Sequence, residues 1–148
     1  MTQEDKDLLL KDLCARLPYG VKISIPDLLI SSIKNIEVLN EIFKGDDGLY
    51  RVNNSGILIE YVKLYLRPIS SMTEEEVDKL FNILNINQNN ESEWLKVNDI
   101  NIIRLFTQEG KDFYEISEAI DYLYSIHVDF RGLIEKGLAI EAPEGMYD

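Results

Sequence analysis

The sequence predicts an α+β fold in which an N-terminal helix and a curled antiparallel sheet precede a mostly helical, acidic C-terminal half. Three observations carry this expectation. Apolar residues first recur at three- and four-residue steps, then alternate between turn signals, then return to helical spacing behind a strong capping motif. The 148 residues are 45% hydrophobic and 28% charged, enough for one domain with a sizeable core.

The first helix is expected over about residues 2–16. Thr2 is placed to cap it, Glu4 and Asp5 suit the positive end of its dipole, and Arg16 suits the negative end. Leu9, Leu10, Leu13, Cys14 and Leu17 are read as one apolar stripe, with Cys14 as a buried thiol. Pro18 and Gly20 end it.

From Val21 the period shortens to two. Val21, Ile23 and Ile25 alternate with Lys22 and Ser24 until Pro26-Asp27 breaks the run. Residues 28–43 hold one or two strands, with Ile36, Val38 and Ile42 on one parity. Lys44 to Gly48 and Asn53 to Gly56 read as turns by composition. A last strand runs from Ile57 to about Leu66, apolar on both parities and so expected to be covered on both faces. This element order is that of small SH3-like barrels with a helix in front, an analogy that implies no function.

Arg67-Pro68-Ile69-Ser70-Ser71 marks the internal boundary, giving parts 1–69 and 70–148 packed as one compact unit. Thr73 and Glu76 form a capping box, Met72 is placed to staple against Val77, and Val77, Leu80, Phe81 and Leu84 make a buried stripe. Residues 85–93 read as a polar, Asn-rich loop, and 94–109 fit helix and strand equally. Residues 113–127 read as a helix with Ile116, Ile120, Leu123 and Tyr124 on one face. The tail from Asp129 onward reads as short turns around its glycines.

Charge is the unusual bulk property. The net charge is −12, and counting along the sequence assigns −1 to residues 1–69 and −11 to residues 70–148. Nucleic-acid backbones and anionic membrane surfaces are bound by Lys and Arg, so direct contact with either is disfavoured. No stretch approaches the roughly 20 apolar residues of a membrane span. The acidic N-terminus lacks the basic start of a secretory signal, and Thr2 excludes myristoylation, so a soluble, cytoplasmic protein is expected. The Asn53 and Asn90 sequons are then chance matches.

Familiar catalytic chemistry is not visible. One Cys and one His, far apart, do not make a zinc site. The Asp46-Asp47-Gly48 stretch lacks the ligand spacing and closing Glu of a calcium loop. Neither a phosphate-binding glycine loop nor a nucleophile elbow occurs. No catalytic residue, metal or cofactor is therefore assigned, and an enzyme is not expected. Aromatic residues read as core, because base stacking comes with a basic groove.

Three segments carry a resemblance. They are Lys11 to Gly20 (KDLCARLPYG), Leu66 to Glu76 (LRPISSMTEEE) and Asp129 to Tyr147 (DFRGLIEKGLAIEAPEGMY). Together they resemble small uncharacterised proteins of Gram-negative gut anaerobes and their phages or prophages, a family with no activity to carry over. The chain departs from that family's pattern at Leu64, often Pro, and at Ile126, often a second His.

These readings favour a non-enzymatic protein-interaction module. Its tentative surface is Glu74, Glu75, Asp78, Glu115, Glu118 and Asp121, facing a basic protein surface. An alternative is an acidic nucleic-acid mimic that blocks a DNA- or RNA-binding protein, with the same carboxylates in a regular ridge. A third is a small-ligand binder or enzyme built from the tail, with Tyr122, His127, Asp129 and Arg131 lining a pocket. The simplest expectation for His127 is a partly exposed ring at a helix C-terminus, and Asp129, Arg131 and Glu135 are expected to pair locally.

Overall fold

The computed structural model describes residues 1–27, 29–30, 32–84 and 113–147. The chain divides into two compact units, Met1–Tyr65 with Leu133–Ala142, and Leu66–Gly132 with Pro143–Asp148. The class is α+β with an N-terminal helix and antiparallel sheets, as the periodicities predict.

In the first unit, helix α1 spans Gln3–Arg16. Thr2 caps it in a capping box: the Asp5 amide donates to Thr2 Oγ1 at 3.1 Å, and the Thr2 amide donates to Asp5 Oδ2 at 3.2 Å. The buried face differs from the predicted stripe. It consists of Leu9, Asp12, Leu13 and Arg16, each fully buried, while Leu10 and Leu17 are half-buried and Cys14 is exposed. At 3.6 residues per turn, Cys14 points about 150° from the centre of that face. The face accepts two charges because they neutralise each other one turn apart, Arg16 Nε lying 2.6 Å from Asp12 Oδ2. Partial desolvation against the helix pushes the Cys14 thiol up, so this surface thiol is not activated.

Gly20, at φ 68°, turns the chain out of a short 3-10 turn over Leu17–Tyr19 into strand β1 (Lys22–Pro26). Ile23 and Ile25 of β1, and Val21 before it, are buried as expected; Ser24 is buried as well. Strand β2 (Lys34–Val38) pairs antiparallel with β1, Ser24 opposite Ile36 and Ile23 opposite Glu37. All five residues of β2 are exposed, and the chain is anchored just beyond it by buried Leu39.

Strands β3 (Ile42–Lys44), β4 (Tyr50–Val52) and β5 (Ile57–Leu58) form an antiparallel meander through the two expected turns. The second turn holds a clamp. Asn53 takes φ 50°; its Oδ1 accepts from the amides of Asn40 (2.7 Å) and Glu41 (3.3 Å), and its Nδ2 donates to the Val38 carbonyl (3.0 Å). One amide side chain thus satisfies three backbone groups of the β2–β3 link.

The long last strand is broken. A 3-10 turn over Ile59–Tyr61 separates β5 from β6 (Lys63–Leu66). The strand β5 pairs with β4, whereas β6 pairs with β1. The break hands the chain from a three-stranded sheet, β3-β4-β5, to a four-stranded one, β2-β1-β6-β7, with β7 at Ala139–Glu141. The sheets consequently do not close into the barrel suggested by the element order; among the described residues β2 and β7 are the edges of one and β3 and β5 of the other.

In the second unit, a 3-10 turn over Ile69–Ser71 leads into helix α2 (Glu74–Leu84). The expected capping box is present: the Glu76 amide donates to Thr73 Oγ1 (3.2 Å) and the Thr73 amide to Glu76 Oε1 (2.9 Å). Val77, Leu80 and Phe81 are buried, and Met72 nearly so. Helix α3 (Phe113–Ser125) packs against α2 with Ala119, Leu123 and Tyr124 buried and Ile120 half-buried. The expected loop at 85–93, the undecided segment 94–109 and the side chains of Leu84 and Ile116 lie outside the described residues.

The Asp12–Arg16 pair supplies a test. Removing one partner of a buried ion pair leaves an uncompensated charge, which costs about 3–5 kcal/mol. Arg16→Met should lower unfolding free energy by about that much in urea melts, and adding Asp12→Leu should recover part of the loss.

Candidate functional site

The site begins at Arg67, which sits between β6 and the 3-10 turn. Its main chain bridges to Val128: the Arg67 amide donates to the His127 carbonyl and the Asp129 amide to the Arg67 carbonyl, both at 2.8 Å. Its guanidinium uses all five N–H groups. Two go to Glu76, at 2.8 and 2.7 Å, two to the Ser71 hydroxyl and carbonyl, at 3.2 and 2.9 Å, and one to the Ile126 carbonyl, at 3.2 Å. The hydrogen bonds from Arg67 and the Thr73 amide hold the Glu76 carboxyl below its ordinary value, against some opposing desolvation. Glu76 therefore belongs to the scaffold, serving the α2 cap and Arg67 together.

With Glu76 engaged, the remaining carboxylates of α2 face outward. Glu74, Glu75 and Asp78 are exposed, as are Glu118 and Asp121 of α3. None of the five makes an ion pair among the described residues. Glu115, the sixth residue of the predicted surface, lies on α3 with its side chain outside the described set. Two adjacent helices of one unit thus carry exposed negative charge, which attracts cations and basic surfaces.

The second predicted group is packed into the end of α3. The His127 amide donates to the Tyr124 carbonyl and the Val128 amide to the Leu123 carbonyl, both at 3.1 Å. This pair of bonds is a Schellman motif, and it places His127 at the left-handed position usually given to Gly, with φ 63°. The ring is buried rather than partly exposed, because Tyr147 stacks on it with centroids 3.8 Å apart. Arg131 donates to the Tyr124 hydroxyl from Nε (3.1 Å) and Nη2 (2.8 Å), and its guanidinium lies 4.9 Å from the Phe130 ring centroid. Asp129 is buried and Glu135 is exposed in a turn of the first unit. Tyr122 is half-buried, with Lys79 Nζ 5.1 Å from its ring centroid; burial and the nearby Glu76 and Glu75 carboxylates push its phenol up. Tyr122, His127 and Arg131 are each engaged by neighbouring side chains of their own unit.

In the first unit, a cavity of about 230 Å³ is lined by residues that include Lys6, Leu10, Tyr50, Ile59 and Glu60, with the Lys6–Glu60 ion pair at 3.3 Å. Its volume is below the range of roughly 300–1,000 Å³ common for small-molecule sites. Among the described residues, no group of three or more His, Cys, Asp or Glu side chains is placed to hold a metal, and no helix is long and apolar enough to cross a membrane.

The organising residues were legible in part. Arg67 reads as a boundary in the sequence, and the only clue to its role is a basic residue nine positions before the capping Glu76. Asn53 reads as one of several turn residues. The Asp12–Arg16 spacing of four was visible, but its burial was not. Comparison with known proteins gives no match to a family, to a curated protein or to a solved structure.

Two tests follow from this geometry. Because the folded Glu76 titrates below its ordinary value near 4.5, its stabilisation is full above that value and is lost as pH falls through the folded one. Glu76→Gln should therefore be less stable than wild type by about 2 kcal/mol at pH 7, with the gap closing below pH 4.5 in denaturant titrations. At the Schellman position, His127→Gly and His127→Ala both remove the ring, so the left-handed backbone alone distinguishes them. The Gly variant should be the more stable by about 1 kcal/mol in the same assay.

Proposed function

We infer that this chain is a non-enzymatic protein-interaction module whose second unit docks on a basic protein surface. The observation that supports this most is the set of exposed carboxylates Glu74, Glu75, Asp78, Glu118 and Asp121, which make no ion pair among the described residues, on two packed helices. A half-buried Arg67–Glu76 pair fixes the start of α2, so the carboxylates are presented on a rigid support. The negative field accelerates encounter with a basic partner and disfavours nucleic acid and anionic lipid. The resemblance of the three sequence blocks supports a setting in a gut bacterium or its phage.

The test is capture of partners by the immobilised chain from such cells, followed by association kinetics with each partner. The association rate should fall about tenfold or more between low and high salt. It should fall similarly when Glu74, Glu75 and Asp78 are changed to Gln, Gln and Asn. Partners that bind equally fast under all these conditions would remove the reading. A nucleic-acid mimic would behave differently: DNA or RNA would displace the chain from its partner competitively.

A further inference from the structure

The first unit carries a surface that the acidic helices do not explain. Among the described residues strand β2 is an edge of its sheet, and Leu29, Ile30 and Ile33 ahead of it are apolar and exposed. Leu29 is 94% exposed, Ile30 52%, Ile33 45%, Ile36 54% and Val38 43%. The loop is held in this state. Asp27 Oδ1 accepts from the amides of Leu29 (2.8 Å) and Ile30 (3.1 Å), and the Asp27 amide donates to the Ile33 carbonyl (2.9 Å). Edge strands are normally blunted by Pro, bulges or several charges. Residues 34–38 contain no Pro, and their two charges, Lys34 and Glu37, are of opposite sign.

The direction of the backbone groups can be read from the neighbouring bonds. The Leu39 amide donates to the Val21 carbonyl, and the Ile33 carbonyl accepts from Asp27, so odd-numbered residues turn their polar groups toward β1. Lys34, Ile36 and Val38 therefore turn theirs outward, toward the open edge.

We propose that β2 pairs with β2 of a second copy of this chain, antiparallel, about a two-fold axis at Ile36. This register sets Ile36 opposite Ile36, Lys34 opposite Val38 and Asn35 opposite Glu37, each of the last two twice by symmetry. It makes six main-chain hydrogen bonds from the outward groups of Lys34, Ile36 and Val38. It also puts Ile36 against Ile36 and the Asn35 amide against the Glu37 carboxylate, with no like charges opposed. Sliding the pairing by two residues in total sequence number toward the C-terminus opposes Glu37 to itself, and sliding it by four the other way opposes Lys34 to itself. A shift of one places each apolar residue on the wrong face. A second copy matches the local charges of this edge, Asn35 facing Glu37 and Lys34 facing no cation, in a register that its own symmetry supplies.

The contact differs from the acidic surface in its salt response. Two chains of net charge −12 repel, so salt strengthens this dimer, whereas it weakens docking on a basic partner. Sedimentation equilibrium of the full chain should show a concentration-dependent rise from 17.1 kDa toward twice that mass, stronger at high salt. Ile36→Lys places two ammonium groups at the axis and should weaken the dimer about 30-fold or more. Ile36 is exposed, so circular dichroism should remain that of wild type. In a Cys14→Ser background, Ile36→Cys should form an intermolecular disulfide under mild oxidation, and Glu37→Cys should not. A chain that stays monomeric throughout the micromolar range overturns the proposal. So does a dimer indifferent to Ile36→Lys, or one that cross-links through Glu37→Cys instead.

Discussion

The second unit depends on the full coordination of one guanidinium. Arg67 offers five N–H donors in a planar fork, and Glu76, Ser71 and Ile126 take all of them. Each acceptor lies at a place where regular structure leaves backbone groups unsatisfied. Ser71 ends a 3-10 turn, Glu76 caps the start of α2, and Ile126 offers a carbonyl at the negative end of α3. A lysine would supply the charge without the fork, and could not serve three chain segments at fixed angles. The side chains of Arg67 and Glu76 are 20% and 19% exposed, so solvent screens the pair only partly. Glu76 is thereby withdrawn from the surface, and its acidic neighbours are left outside.

The first unit applies the same principle with different residues. Asn53 fills three backbone valences at the β2–β3 link, and Asp27 fills two at the apolar loop. In both cases a short polar side chain orders a stretch of chain that no ladder reaches. Its left-handed conformation lets Asn53 fold back on the link while its own amide still bonds to the Glu41 carbonyl. The buried Asp12–Arg16 pair is of another kind. It allows a helix face with only two leucines among its four buried residues to stay in the core. Pairs of this kind contribute little net stability over an apolar replacement, yet are costly to break singly.

The two surfaces carry opposite physics. The docking proposed for the acidic helices would draw on long-range attraction, which sets encounter rate and fades within a Debye length of roughly 8 Å at physiological salt. The β2 edge relies on apolar burial and main-chain hydrogen bonds, both short-ranged and favoured by screening of the net charge. If both proposed contacts form, salt concentration would shift the balance between them. The same variable thus separates the contacts experimentally.

Local features of the chain were legible without coordinates. Thr2 and the Thr73–Glu76 box announced two helix starts, and the alternation at Val21, Ile23 and Ile25 announced β1, because capping and strand periodicity are properties of neighbouring residues. The turns at 44–48 and 53–56 were visible for the same reason. The stripe at Val77, Leu80 and Phe81 was read correctly, but other judgements that required knowing the far side of an element failed. Cys14 was assigned to the core and Arg16 to the helix end, since a charged residue reads as solvated until its partner one turn away is seen buried with it. The strand from Ile57 to Leu66 was read as continuous, but two different sheets compete for its ends and a 3-10 turn divides it. His127 was placed correctly at a helix terminus, while its burial was decided by Tyr147, twenty residues on. The sequence by itself determined where helices and strands begin and the sign of the charge they carry. Only the tertiary structure decided which faces those elements bury, because burial depends on side chains brought together from distant positions.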